Sequence, residues 1–266
     1  MTASETPSTL CVIEEGIAVL TLNEPHRRNP LSPEVIDGLL HTLEELRDND
    51  EVKVVILRGE GAGFSAGADL KRMRTATALE DRDEYDNILR VNKLLWEYPK
   101  PTIAAVHGFA FGAGANLMTW CDLVLCDEHT KIGYPEVKAG VPSATVVPTL
   151  QRLVGRRRMM ELTLTGTPIG AAEAKEYGMV TRVVPAGQAL DAALELARTI
   201  AQNDPKALRQ TKEIIQTTGE MSYREAMTYA KEVRVIFRMH KDFAVHIAQG
   251  AEEGVAAARA AKGIEA

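Results

Sequence analysis

The chain has 266 residues, 45% of them hydrophobic and 26% charged, with a formal net charge of −6. That length suits one large α/β domain with a helical part attached, and the acidic balance argues against phosphate-backbone binding, which needs a basic footprint. No apolar run reaches the roughly 18 residues of a membrane span, and the opening MTASETPSTL lacks the basic and apolar regions of a signal peptide. Cys11, Cys121 and Cys126 are an odd set, two of them in an apolar stretch. They read as free thiols in a reducing compartment, so the expected setting is cytoplasmic, with no membrane or nucleic-acid partner.

In chain order, residues 1–9 are expected to be a flexible tail. CVIEEGIAVLTLN reads as two short strands turning near Gly16. In LSPEVIDGLLHTLEELRDN, Ser32 caps a helix, Pro33 takes its first position, and Val35, Leu39, Leu43 and Leu46 share a face. VKVVILRG is a buried strand, residues 81–98 a helix ending before Pro99, and PTIAAVHG, CDLVLCDE and KIGY further strands. From about Gly155 the pattern is mostly helical. Gly170 starts a helix that Gly178 ends, Asp204 and Pro205 start another, and Ser222 with Glu225 has capping-box spacing. Residues 10–185 are therefore expected to form the α/β core and 186–266 a helical region. Met227, Ala230, Val233, Ile236, Phe237 and Phe243 make that region apolar enough to need a covering partner.

Two segments, GEGAGFSAGADL and GFAFGAGANL, deliver small residues just past buried strands. Such turns expose backbone N–H groups to a ligand oxygen, and two facing each other make an oxyanion hole; small residues also serve tight helix–sheet packing. Neither turn is a dinucleotide fingerprint, and neither ends as a P-loop does. His240 and His246 lack metal-ligand spacing, so no metal is expected. His107, Trp96 and Trp120 read as packed side chains.

FSAGADLKRM, HGFAFGAGANL, CDLVLCDE, GYPEVKAGVP and LTGTPIGAAEAKEYGMVTRVVP, in this order, resemble the signatures of the crotonase superfamily, the enoyl-CoA hydratases and isomerases. The resemblance spans roughly residues 10–262. It implies an α/β crotonase-like fold of repeated ββα units with a C-terminal helical trimerisation region, and a homotrimer or dimer of trimers. It implies an acyl-CoA thioester as substrate, with coenzyme A as part of that substrate and no separate cofactor. Carried over by motif position, the backbone N–H groups of Ala66 and Ala113 hold the thioester oxygen as it becomes an enolate; Ala113 stands where glycine is usual. The resemblance also places substrate and CoA contacts at His26, Arg27, Arg28, Ala68, Asp69, Leu70, Gly112, Pro135 and Val141, with the two arginines as phosphate candidates and Asp69 as a cap of the first turn. Lys71, Arg72 and the basic GRRRMM cluster are further phosphate candidates, each equally readable as solvated surface.

The hydratases carry two glutamates. One is matched here by Glu136, in GYPEV; the other position holds Asn116. An amide orients a water or a substrate group but takes up no proton at neutral pH, and loss of an acid–base group costs roughly 10²- to 10⁴-fold. A single base suffices to move a double bond, taking a proton from C2 of a 3-enoyl thioester and returning it at C4. Isomerisation is thus the expected reaction, with enoyl-CoA hydration, a hydroxycinnamoyl-CoA hydratase-lyase activity and a non-catalytic acyl-CoA-binding role as alternatives. Tyr85, Tyr98 and Tyr134 are the tyrosines available to a phenolic substrate. AGVPSATVVPTLQRLVG departs from the glycine-rich run usual after Pro142; it reads as a loop stiffened by Pro148 and β-branched residues, lining the acyl pocket. Apolar walls there raise the pKa of Glu136.

Overall fold

A computed structural model of the chain describes residues 7–239. Strands β1 (Thr9–Glu14) and β2 (Ile17–Leu22) form an antiparallel hairpin, with Val12 opposite Val19. β3 (Pro30–Leu31) leads into α1 (Pro33–Asp48), whose cap is Ser32: its Oγ accepts the Val35 N–H at 3.3 Å. Then come β4 (Val54–Gly59), β5 (Gly67–Ala68), the single turn α2 (Leu70–Met73) and α3 (Ala78–Trp96). β6 (Thr102–Val106), β7 (Phe109–Phe111), α4 (Ala113–Thr119), β8 (Leu123–Asp127) and β9 (Lys131–Gly133) follow. The remainder is α5 (Val147–Thr165), β10 (Ile169–Gly170), α6 (Ala171–Glu176), β11 (Arg182–Val184), α7 (Ala189–Ala201), α8 (Pro205–Thr218) and α9 (Tyr223–Arg238).

The main sheet has the order β1-β2-β4-β6-β8-β11, parallel except for the first pair. Strand alternation divides its side chains between two cores. Val54, Ile56, Ile103, Ala105 and Leu125 face α7, whose Ala189, Ala193, Ala197 and Ala201 form a stripe of small residues at helical spacing. Val55, Leu57, Ala104 and Val106 face the larger core with α1, α3 and α4. Asp127, ending β8, fixes where α7 starts: its carboxylate accepts the N–H groups of Gly187 at 2.8 Å and Ala189 at 2.9 Å. A second sheet, β10-β9-β7, and the pair β3-β5 lie at the sites of the glycine-rich turns.

Four features differ from the sequence reading. α3 begins at Ala78, because Thr77 and Glu80 form a reciprocal capping box. The stretch expected to be a stiff loop is helical from Val147, with Pro148 in the first turn where a missing N–H costs nothing; Gly155, at φ 74°, breaks α5 into two segments. α7, assigned from sequence to a helical region starting at 186, packs on the main sheet. One compact unit closes at Arg209, and the second begins at Gln210. Trp96 is exposed at 44%, although its ring meets Trp120 edge to face at 5.7 Å.

In the second unit, Ser222 and Glu225 make the expected capping box, and α9 exposes Tyr223, Met227 and Ile236. Most of the 1–9 tail, His240, Phe243, His246 and the rest of the C-terminal helical stretch lie outside the described residues.

Candidate active site

The site forms where the two glycine-rich turns meet. Residues Phe64 to Asp69 run beside β3, with Pro30 opposite Gly67 and Leu31 opposite Ala68. On the other side Ser65 bridges to Ala110 of β7. Ser65 is fully buried; its Oγ donates to the Asn29 carbonyl at 2.7 Å and accepts the Gly67 N–H at 3.2 Å. Gly67 has φ 97°, and a β-carbon there would lie 2.6 Å from the Phe111 carbonyl oxygen and 3.3 Å from the Ala113 nitrogen. Glycine alone permits this approach. Gly114 answers to the same contact from the other turn: a β-carbon would lie 2.5 Å from Ser65 Oγ.

α4 starts at Ala113 with Gly112 as its N-cap, so no side chain caps it. The first N–H groups of a helix have no intrahelical acceptor, and that end favours negative charge. The 3-10 turn Pro135–Ala139 brings Glu136 over this end. Glu136 Oε1 lies 3.1 Å from the place of a β-carbon on Gly112, and Oε2 accepts from Ser143 Oγ at 3.2 Å. Burial pushes the Glu136 carboxyl above its ordinary pKa, against the opposing effect of its own backbone N–H and of Ser143. Among the described residues, Glu136 makes no ion pair.

These groups line one cleft of about 930 Å³, counting its open mouth, within the size range of small-molecule sites. Ala66, Ala68, Asp69 and Leu70 enter it from the first turn, Gly112 and Ala113 from the second, and Pro135, Glu136 and Val141 from the turn that carries Glu136. Tyr85 of α3 lines it too, as do Ser143 and Thr145 from the stretch expected to line the acyl pocket; Glu84 and Ile88 of α3 join them, unseen in the sequence reading. The apolar pattern of residues 81–98 showed a helix there, but nothing in that pattern said which face met a ligand.

Three expectations change. Ala66 lines the cleft, but its N–H donates to the Arg28 carbonyl at 2.9 Å, so it is not a free oxyanion donor. Asn116 is 1% exposed and stands behind Thr145, whose carbonyl accepts from its Nδ2 at 3.3 Å. Its Oδ1 has no hydrogen-bond partner among the described residues. Arg27 is committed to two carboxylates, Glu24 at 2.9 Å and Asp69, rather than held open for a phosphate.

His26 and Arg28 are exposed beside the first turn and, like Arg27, do not line the cleft. Asp69 caps α2, Oδ1 accepting the N–H groups of Lys71 and Arg72. Burial alone would raise its pKa, but Arg27 and those two N–H groups outweigh it and hold the carboxyl below its ordinary value. Arg72 pairs with Glu84. Of the tyrosines, Tyr85 reaches the cleft, whereas Tyr98 and Tyr134 are buried in the core. In GRRRMM, Arg158 lies over the Tyr177 ring at 4.4 Å.

An α/β fold with two backbone turns and a half-buried carboxylate, unpaired among the described residues, around one cleft defines a class of protein, and sequence comparison places the chain within it. The enoyl-CoA hydratase/isomerase family pattern matches residues 12–255. An enoyl-CoA hydratase candidate from Thermus thermophilus is 43% identical over 222 residues, 82% of this chain and 88% of that protein. The hydroxycinnamoyl-CoA hydratase-lyase of Pseudomonas fluorescens is 33% identical over 223 residues, 82% of this chain and 81% of that one. The crystal structure of enoyl-CoA hydratase from Bacillus anthracis matches the fold with a TM-score of 0.88 at 30% identity, covering 92% of this chain and 96% of that one. The chain belongs to the enoyl-CoA hydratase/isomerase family and has the crotonase fold.

Proposed function

We propose that the protein moves the double bond of an enoyl-CoA thioester from C3=C4 to C2=C3. The observation that carries this reading is the state of the cleft's carboxylates. Asp69 and Glu84 are ion-paired, whereas Glu136 is half-buried, its pKa is raised by desolvation, and it has no ion-pair partner among the described residues. The position where the hydratases keep a second glutamate holds Asn116, whose amide is turned to the Thr145 carbonyl.

In this reading Glu136 removes a proton from C2, the charge passes to the thioester oxygen, and the protonated carboxyl returns the proton at C4. The Ala113 N–H at the start of α4 stabilises the charged oxygen. Ala68 replaces Ala66 as the second donor, because it lines the cleft in the same turn and the Ala66 N–H is taken. Each such donor is worth roughly 10²- to 10³-fold in rate. Leu70, Asp69 and the exposed His26 and Arg28 flank the path of coenzyme A. The exposed apolar residues of α9 suit a homotrimer or a dimer of trimers.

Hydration is the second reading, and it is favoured by relatives that are themselves named enoyl-CoA hydratases. One assay panel separates the two, with 2-enoyl-, 3-enoyl- and hydroxycinnamoyl-CoA offered to the wild type and to Asn116→Glu. Isomerisation predicts fast conversion of the 3-enoyl thioester, slow hydration of crotonyl-CoA, and a gain of hydration in the variant of about 10²-fold or more. Fast crotonyl-CoA hydration by the wild type, unchanged in the variant, would overturn the proposal.

A further inference from the structure

The stretch of cleft wall from Leu70 to Met73 is held from outside the cleft. α2 is a single turn with no buried residue, so burial in the core does not fix it, yet Leu70 and Met73 line the cleft. The Asp69 carboxylate holds this turn, and its two oxygens divide the task. Oδ1 accepts the N–H groups of Lys71 at 3.2 Å and Arg72 at 3.4 Å. Oδ2 accepts from Arg27 Nη2. A rotation of the carboxylate away from Arg27 therefore also turns Oδ1 away from the cap.

Arg27 is itself held from behind. Its Nη1 donates to Glu24 Oε2 at 2.9 Å. Glu24 is 8% exposed, and its Oε1 accepts from the hydroxyls of Ser8 at 2.9 Å and Ser32 at 3.3 Å. Its carbonyl accepts the N–H groups of Arg27 and Asn29, each at 3.0 Å. Side chain and main chain of Glu24 are thus both fixed before Arg27 reaches Asp69. Taking a charge out of water is costly, and the two serines need only a neutral acceptor. The negative charge serves Arg27. Burying an ion pair adds little net stability, and its best attested use is to select one geometry among several.

We propose that Glu24 is a positioning residue for acyl-CoA binding: it aims the Arg27 guanidinium at Asp69, and through the Asp69 cap it sets where Leu70 and Met73 stand against the ligand. Glu24 and Arg27 do not line the cleft, so neither needs to touch the thioester. Beyond the cap, Arg72 carries the same line to Glu84 of α3, which does line the cleft. Glu136 sits on a separate turn, Pro135–Ala139, outside this line. Loss of Glu24 therefore weakens binding and leaves proton transfer in place. This role rests on the reading of the cleft as an acyl-CoA site, but not on which double-bond reaction occurs in it.

The test is a double-mutant cycle on the full-length protein, with butyryl-CoA binding followed by calorimetry. A saturated thioester needs no turnover, so binding is read apart from isomerisation or hydration. Glu24→Gln is expected to weaken binding by about fivefold, and Asp69→Asn by a similar factor. The double variant should bind within about twofold of Asp69→Asn alone, because the effect of Glu24 passes through the Asp69 carboxylate. A merely structural Glu24, holding Ser8 and Ser32, would instead multiply the two factors. Hydrogen exchange gives a second readout: in Glu24→Gln the amides of Lys71 and Arg72 should exchange faster, while that of Val35, on the Ser32 cap, holds. Thermal melting shows whether Glu24→Gln is folded. If it is not, Arg27→Lys takes its place in the cycle, since an ammonium lacks the planar fork that bridges two carboxylates. Unchanged binding in the folded variant, or factors that multiply, would overturn the proposal and leave the acyl-CoA reading standing. Failure of the wild type to bind any acyl-CoA would end that reading and this role with it.

Discussion

The Glu136 carboxylate and Gly112 occupy one space: a β-carbon on Gly112 would stand 3.1 Å from Glu136 Oε1 and 3.6 Å from its carboxyl carbon. Gly112 also has φ 52° and ψ −123°, a backbone state that costs other residues about 1–3 kcal/mol. Gly112→Ala is therefore expected to push the carboxylate off the start of α4 and to tilt the Ala113 N–H. A displacement near 1 Å at a reacting group costs about 10²-fold. Steady-state assays should show a fall of that order in kcat with the protein still folded by circular dichroism. Unchanged kcat would mean that the proton is handled elsewhere.

Ser143 sets the acidic limb of the pH profile. Its hydroxyl donates to Glu136 and favours the charged form, against burial, which raises the pKa and has the larger effect. The base acts only when deprotonated, so activity rises with pH through the raised Glu136 pKa. Ser143→Ala removes a stabiliser of the carboxylate and moves that limb upward, by up to about one pH unit for a hydrogen bond of this kind. A kcat–pH profile with a limb fixed in place, or moved downward, would refute the assignment.

Much of this site was legible in the sequence because its constraints are local. Glycines at 67, 112 and 114 mark the close approach of two backbones, and Glu136 follows a proline that starts its turn. Ser32, Asp204 and Ser222 announced helix starts, since caps depend on neighbours three residues away. The rest depends on partners distant in sequence. Whether the Ala66 or the Ala68 amide is free rests on the Arg28 carbonyl, placed by the pairing of β3 with β5. The direction of Asn116 rests on Thr145, and the share of α3 in the cleft on how that helix lies over the turns. The helix from Val147 was missed because Pro148 and a run of β-branched residues point away from helix when propensity is read alone. The strands β7, β10 and β11 have two or three residues each, too few to show a period.

Asn29 is the support under the first turn. It is fully buried with φ 51°; its Oδ1 accepts the Glu24 N–H at 2.9 Å, and its Nδ2 faces the carbonyls of Glu60, Gly63 and Phe64 at 2.8–3.2 Å. Asn29→Ala leaves several backbone groups without partners and places alanine in a left-handed conformation that asparagine tolerates better. The expected loss is about 3 kcal/mol or more, read as a lower denaturant midpoint at unchanged slope. A loss below about 1 kcal/mol would show that the turn holds itself in place.

Arg27 holds the first turn through charge, so its contribution depends on pH in a defined direction. Its partner Asp69 has a folded-state pKa below the ordinary value, despite the opposing effect of burial. A depressed carboxyl contributes stability above its unfolded pKa, and that contribution fades as pH falls through the folded pKa. Arg27→Ala should therefore destabilise at neutral pH by about 1 kcal/mol or less, as partly exposed ion pairs do. The gap to wild type should close in acid, as Asp69 becomes protonated in both proteins. Because Asp69 lines the cleft and caps α2, the same variant should raise KM for an acyl-CoA more than it lowers kcat. A stability gap that persists unchanged well below the carboxylate range would mean that Arg27 acts through packing of its stem, and a kcat loss at constant KM would place it with the reacting groups.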